Sequence, residues 1–87
     1  MRVVFAGSPD VAAQVMAHLL DSGVTLTAVI SQPDRPVGRK KVVTATPVSQ
    51  LAKQRGIELH RPEDGQQLTE ALRQLRPDLV VAVAYGR

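Results

Sequence analysis

A chain of 87 residues has room for one hydrophobic core, and 44% hydrophobic with 22% charged residues is an ordinary globular composition rather than that of a disordered or membrane chain. With no cysteine there is no disulfide framework, thiolate metal site or cysteine nucleophile, a composition compatible with a reducing cytosol. The formal charge of +3 is confined to one place: residues 34–41 hold Arg35, Arg39, Lys40 and Lys41 against Asp34, and the rest of the chain carries seven groups of each sign.

Val3 to Ala6 is a short β-branched and aromatic run ending at Gly7, which predicts a strand. The apolar stretch from Met1 stops at Ser8-Pro9-Asp10, before a secretory h-region develops. Val11, Ala12, Val15, Met16, Leu19 and Leu20 then recur on one helical face. Ser8 is expected as the N-cap of that helix, with Pro9 at its first position, Asp10 at the positive end of its dipole and Gly23 as the left-handed stop. Thr25 to Ile30 predicts a second strand. Residues 31–45 have no period and read as one long loop, a length usually functional or disordered.

Thr46 as N-cap and Pro47 behind it start a second helix that Gly56 stops. Ile57 to His60 predicts a third strand. Leu68, Ala71, Leu72 and Leu75 mark a third helix, whose start Glu63 and Asp64 serve and which Pro77 ends. Leu79 to Ala84 has no polar alternation, the pattern of a parallel strand buried on both faces. It is far shorter than the roughly 20 apolar residues of a membrane-spanning helix.

Strand and helix alternate, so the expected fold is α/β with a parallel Rossmann-like sheet, right-handed crossovers and strand order 3-2-1-4. That order sets Gly7-Ser8-Pro9-Asp10 opposite Tyr85-Gly86-Arg87 at the carboxyl ends of the first and fourth strands, where ligands of such sheets bind. It also leaves the fourth strand, the most apolar, as an edge without charge, proline or cover. We therefore expect residues 1–87 to be the front part of a larger domain.

Two segments are candidates for chemistry. At the first strand-to-helix turn, free amides and the Ser8 hydroxyl suit an anion. The same residues also serve as plain helix caps; GxGxxG and GxxxxGK[ST] patterns are absent, and Asp10 would repel a phosphate. The basic segment suits a polyanion through counterion release, and four engaged phosphates would give a log–log salt slope of about −3. A solvated surface loop is the plainer reading of so short a run, but the neutrality of the remaining chain and the loop's departure from a strand's carboxyl end favour a ligand. With Phe5 and Tyr85 the sole aromatics, a base-stacking platform is not expected. His18 and His60 have no metal-ligand spacing to other donors, and no nucleophile, base and orienting residue assemble.

Met1 to Asp10, then Ser31-Gln32-Pro33-Asp34-Arg35-Pro36-Val37-Gly38-Arg39-Lys40-Lys41, Thr46-Pro47-Val48, and Asp78 to Gly86 together closely resemble the start of the methionyl-tRNA formyltransferase family. The most specific part is the Gln-Pro-Asp-Arg-Pro-x-Gly-Arg stretch. The resemblance covers essentially the whole chain and implies transfer of a formyl group from 10-formyltetrahydrofolate to the amino group of methionyl initiator tRNA, in the cytoplasm, by an enzyme monomeric at full length. It implies that Arg35, Arg39, Lys40 and Lys41 meet the tRNA acceptor end, that Gly7, Ser8, Pro9, Asp10 and Val11 border the substrate pocket, and that Tyr85, Gly86 and Arg87 begin the folate pocket.

Val11 departs from the family's usual Phe, which helps to hold the methionyl side chain, and the glycine usual between the arginine and the lysines is missing. The family's catalytic Asn, His and Asp lie beyond the fourth strand, and this sequence has no asparagine. On this reading residues 1–87 are inactive alone, without the catalytic remainder and the C-terminal tRNA-binding domain. Two alternatives are a folate-dependent formyltransferase of the same fold acting on a sugar nucleotide or small amine, and a noncatalytic nucleic-acid-binding module.

Overall fold

The computed structural model describes residues 1–37 and 42–85. Four parallel strands form the main sheet: β1 (Val3–Gly7), β2 (Ala28–Ile30), β5 (Leu59–His60) and β6 (Leu79–Val83), in the order β5-β2-β1-β6. Counted without the hairpin described below, this is the expected 3-2-1-4. Val4 pairs with Ala28 on one side and Val80 on the other, so β1 is the central rail of the sheet.

Side chains alternate across that rail and divide the core in two. Val3 and Phe5 face helices α1 (Asp10–Asp21) and α2 (Pro47–Gln54), where Ala12, Met16, Val48 and Ala52 are buried with them. Val4 and Ala6 face α3 (Gly65–Leu75), which seals the opposite side with Leu75 and the half-buried Leu68 and Leu72. The doubly covered sheet explains why β1 is apolar at every position and buried throughout.

The helix signals are realised with one exception. Asp64 accepts from Gln67 N at 2.8 Å as the N-cap of α3, while Gln67 Oε1 accepts from Glu63 N at 3.0 Å. Both α1 and α2 end in the same six-to-one closure: Val24 N donates to Leu19 O and Ile57 N to Ala52 O, each following a positive-φ glycine, Gly23 or Gly56. That closure takes Ile57 out of its predicted strand, which is why β5 is limited to Leu59–His60.

The exception is Ser8, which was expected to cap α1. Pro9 occupies the N-cap position and no side chain caps the helix. The Ser8 hydroxyl instead accepts from Gln32 N at 3.1 Å, a bond to the neighbouring strand's exit that a cap geometry would forgo.

Two further expectations are corrected. Residues 31–45 are not one loop: β3 (Arg35–Val37) and β4 (Val42–Thr44) form an antiparallel pair in which Arg35 faces Thr44 and Pro36 faces Val43. A two-stranded ribbon has free outer edges, so Pro36 fits without a second ladder partner. Nor is β6 buried on both faces. Leu79 and Val80 are 48% and 41% exposed, because β6 pairs with β1 on one side only among the described residues and α3 packs mainly over β1 and β2. Arg2 fixes its start: Arg2 Nε donates to Leu75 O at 2.7 Å, and Leu79 N donates to Arg2 O at 3.2 Å.

Candidate functional site

The carboxyl ends of β1, β2 and β6 converge, and Gln32, the second residue past β2, joins them. Its amide donates to Ser8 Oγ just past β1, and its Nε2 donates to Tyr85 O just past β6 at 3.1 Å. The sequence reading set Ser8 and Tyr85 on opposite sides of one crevice; in the structure both are bonded to Gln32.

Beneath this junction runs a chain of hydroxyls. Ser31 Oγ donates to Ser8 Oγ at 3.3 Å and lies 2.6 Å from Thr46 Oγ1, which in turn lies 3.0 Å from Ser49 Oγ and accepts from Ser49 N at 3.0 Å. Ser31 and Ser49 are fully buried, so these mutual bonds supply the partners their burial demands. Thr46 is thus both the expected N-cap of α2 and the tie between that helix and the exit of β2. Val48 N donates to Ser8 O at 3.3 Å, bringing the turn after β1 to the same place.

The hairpin stands on two anchored roots. On the entering side, Arg61 Nη1 lies 3.1 and 3.2 Å from the two oxygens of Asp34. On the returning side, Gln50 Nε2 donates to Ala45 O at 2.8 Å and Ser31 holds Thr46. Beyond the roots the ribbon is open to solvent: Arg35 is exposed, and Val42 and Val43 are 59% and 64% exposed. Between the roots is a cavity of about 300 Å³ lined mainly by Gln32, Pro33, Arg35, Thr46, Pro47 and Gln50.

The predicted site residues thus fall into three groups. Gly7 is buried and Ser8 half-buried, whereas Pro9, Asp10 and Val11 are exposed at the start of α1. Of the basic four, Arg35 is on β3, and Arg39, Lys40 and Lys41 lie outside the described residues. Tyr85 packs half-buried on the Val4, Ala6 and Ile30 side of the core, and Gly86 and Arg87 lie outside the described residues. His18, exposed on α1, and His60, beside Glu58 on β5, take no part.

Sequence reasoning missed the junction at Gln32, the Asp34–Arg61 anchor and the cavity. The two bonds of the junction span 24 and 53 residues and the anchor spans 27, and no local pattern signals such contacts. The described arrangement offers hydrogen-bonding and positively charged groups in place of a nucleophile and base: it can bind and orient a ligand.

A parallel sheet covered on both faces by helices, with a two-stranded hairpin inserted after β2, defines a Rossmann-like fold. Comparison with known proteins is specific: residues 1–87 match the formyl transferase family model, and the chain belongs to that family. Among relatives, a methionyl-tRNA formyltransferase from Magnetococcus marinus is 51% identical over 89 aligned positions covering 99% of this chain. Those from Halorhodospira halophila and Thermotoga maritima are 46% and 37% identical over 99% and 100% of it. The chain spans 28% of the length of each of these relatives.

Proposed function

We propose that residues 1–87 form the N-terminal part of a methionyl-tRNA formyltransferase, which carries a formyl group from 10-formyltetrahydrofolate to the amino group of methionyl initiator tRNA. The single observation that carries this reading is the position of the hairpin in a formyl transferase family chain: it follows the carboxyl end of β2, on two hydrogen-bonded or ion-paired roots, with Arg35 exposed. A cationic ribbon beside a small-molecule crevice suits a substrate that is small at its reacting end and polyanionic behind it, as an aminoacylated RNA is.

In this reading Arg35, with Arg39, Lys40 and Lys41, binds the acceptor end, and the turn Gly7 to Val11 borders the methionyl group. Tyr85, with Gly86 and Arg87, is the first wall of the folate pocket. The half-buried Tyr85 beside the crevice fits an apolar pteridine edge; the folate brings the formyl carbon, and the residues of this chain contribute binding and orientation. The attacking amine must be a free base, and proton transfer and oxyanion stabilisation fall to catalytic residues beyond residue 87. The exposed apolar edge of β6 supports a continuation of the sheet and a larger domain. A cytoplasmic, monomeric enzyme is part of the same proposal; among the described residues no helix is long and apolar enough to cross a membrane.

The test is formyl transfer by the full-length protein from 10-formyltetrahydrofolate to charged initiator tRNA, with a sugar nucleotide and a small amine as rival acceptors. Preference for the tRNA is expected, with kcat/KM falling when Arg35, Arg39, Lys40 and Lys41 are replaced by alanine. Transfer to a small acceptor alone, or an unchanged kcat/KM, overturns the proposal.

A further inference from the structure

The two roots of the hairpin are fastened differently. The returning strand is held to α2 by hydrogen bonds through Thr46 and Gln50. On the entering side Gln32 is tied to Ser8 and Tyr85, Pro33 follows, and the next tie is the ion pair of Asp34 with Arg61. Pro33, Asp34, Arg61 and Glu63 border a cavity of about 330 Å³, so open space lies beside this root and packing alone does not set its direction.

Arg61 projects from a fixed point. It directly follows β5, whose Leu59 and His60 pair with Val29 and Ile30, and His60 O accepts from Ser31 N at 3.0 Å. Asp34 directly precedes β3. The pair therefore ties the edge strand of the main sheet to the first strand of the ribbon, while the other root is tied to α2. A short ribbon held at one root can swing about it; held at two, its direction is set.

We infer that Arg61 is a positioning residue: through Asp34 it holds the hairpin in the orientation that meets RNA, without itself engaging a phosphate. The inference rests on the RNA reading above and deepens it. The pair is part-exposed, with side chains 40% and 29% accessible, and such pairs add little to global stability. Orientation needs no more than that, because apparent affinity scales with the fraction of molecules in the binding-competent arrangement. Asp34 supplies the decisive sign. Neutralising it leaves residues 34–41 with four cations and no anion, and charge alone would then tighten RNA binding; a lost anchor weakens it instead.

The experiment uses the full-length protein with charged initiator tRNA. Asp34→Asn and Arg61→Gln are each expected to raise KM about three- to fivefold with kcat unchanged, and the double variant should lose no more than either single one. One nitrogen, Nη1, meets both Asp34 oxygens, so an ammonium can take its place and Arg61→Lys should keep most of the affinity. The salt slope of RNA binding should stay at the wild-type value in Arg61→Gln. A second readout needs no RNA: spin labels at His18→Cys on α1 and Val43→Cys on β4, both exposed positions, in a background without other cysteines. Their distance distribution should broaden alike in Asp34→Asn and Arg61→Gln and stay narrow in Arg61→Lys. Tighter tRNA binding by Asp34→Asn, additive losses in the double variant, or label distances that do not change overturns the inference. A wild type that does not use tRNA defeats the proposed activity instead, and the label distances still decide whether the pair orients the hairpin.

Discussion

The central strand and the hairpin are built to opposite specifications. β1 is buried at all five positions between two strands and two helix layers, so its residues are fixed by packing. The ribbon of β3 and β4 has three residues in each strand, exposes Arg35, Val42 and Val43, and is held at its roots. Stability therefore resides in the sheet, and under the proposed function recognition falls to an appendage that adds little to it. The hydroxyl chain through Thr46 is where the two meet.

Substitutions should separate these regions. Phe5→Ala removes a fully buried ring from the larger core cluster and should lower stability by about 4 kcal/mol. This would be read as the urea midpoint of the full-length protein, with the salt slope of RNA binding unchanged in the fraction still folded. A midpoint close to wild type would break the assignment of stability to β1.

Gly7→Ala comes next. The added Cβ would meet Val83 O at 2.7 Å and the Ala12 Cβ at 2.8 Å. Neither the sheet backbone nor the first turn of α1 can withdraw cheaply, and a loss of about 2–3 kcal/mol is expected in the same assay.

Thr46→Ala tests the meeting point. It removes a helix cap and a bond to buried Ser31, for about 1–2 kcal/mol. It should also weaken RNA binding, because the returning root of the hairpin is loosened; a purely local effect would leave RNA affinity at the wild-type value.

Arg35→Ala should be the mirror of Phe5→Ala. Its stability effect should stay within about 0.5 kcal/mol, while the log–log salt slope for RNA flattens by about 1. Arg61→Ala should likewise cost little stability. The Asp34–Arg61 pair is part-exposed and such pairs contribute less than about 1 kcal/mol, so a midpoint close to wild type is expected, and a larger drop would show that the anchor supports the sheet.

How legible each region was in the sequence follows the same division. The main sheet, its order and all three helices could be read because their signals are local: apolar period, Thr46 and Asp64 as caps, Gly23 and Gly56 as stops. The hairpin could not. Its strands are three residues long, one carries Pro36, and no period emerges over so few positions. Ser8 misled because a serine before a proline at a strand end is a good cap in isolation, and only the arrival of Gln32 from β2 gives its hydroxyl another partner. The apolar content of β6 predicted a strand correctly but not its burial, which depends on neighbours and not on composition.

The chain of hydroxyls has one more property. Ser31 and Thr46 each have one rotatable proton and two hydroxyl neighbours. The row can therefore be polarised toward Ser8 or toward Ser49 by turning O–H bonds alone, with every heavy atom in place. A neutral row of this kind can reverse its dipole under the first turn of α1, presenting a lone pair or a proton at its Ser8 end as the neighbouring group requires, without charging any side chain.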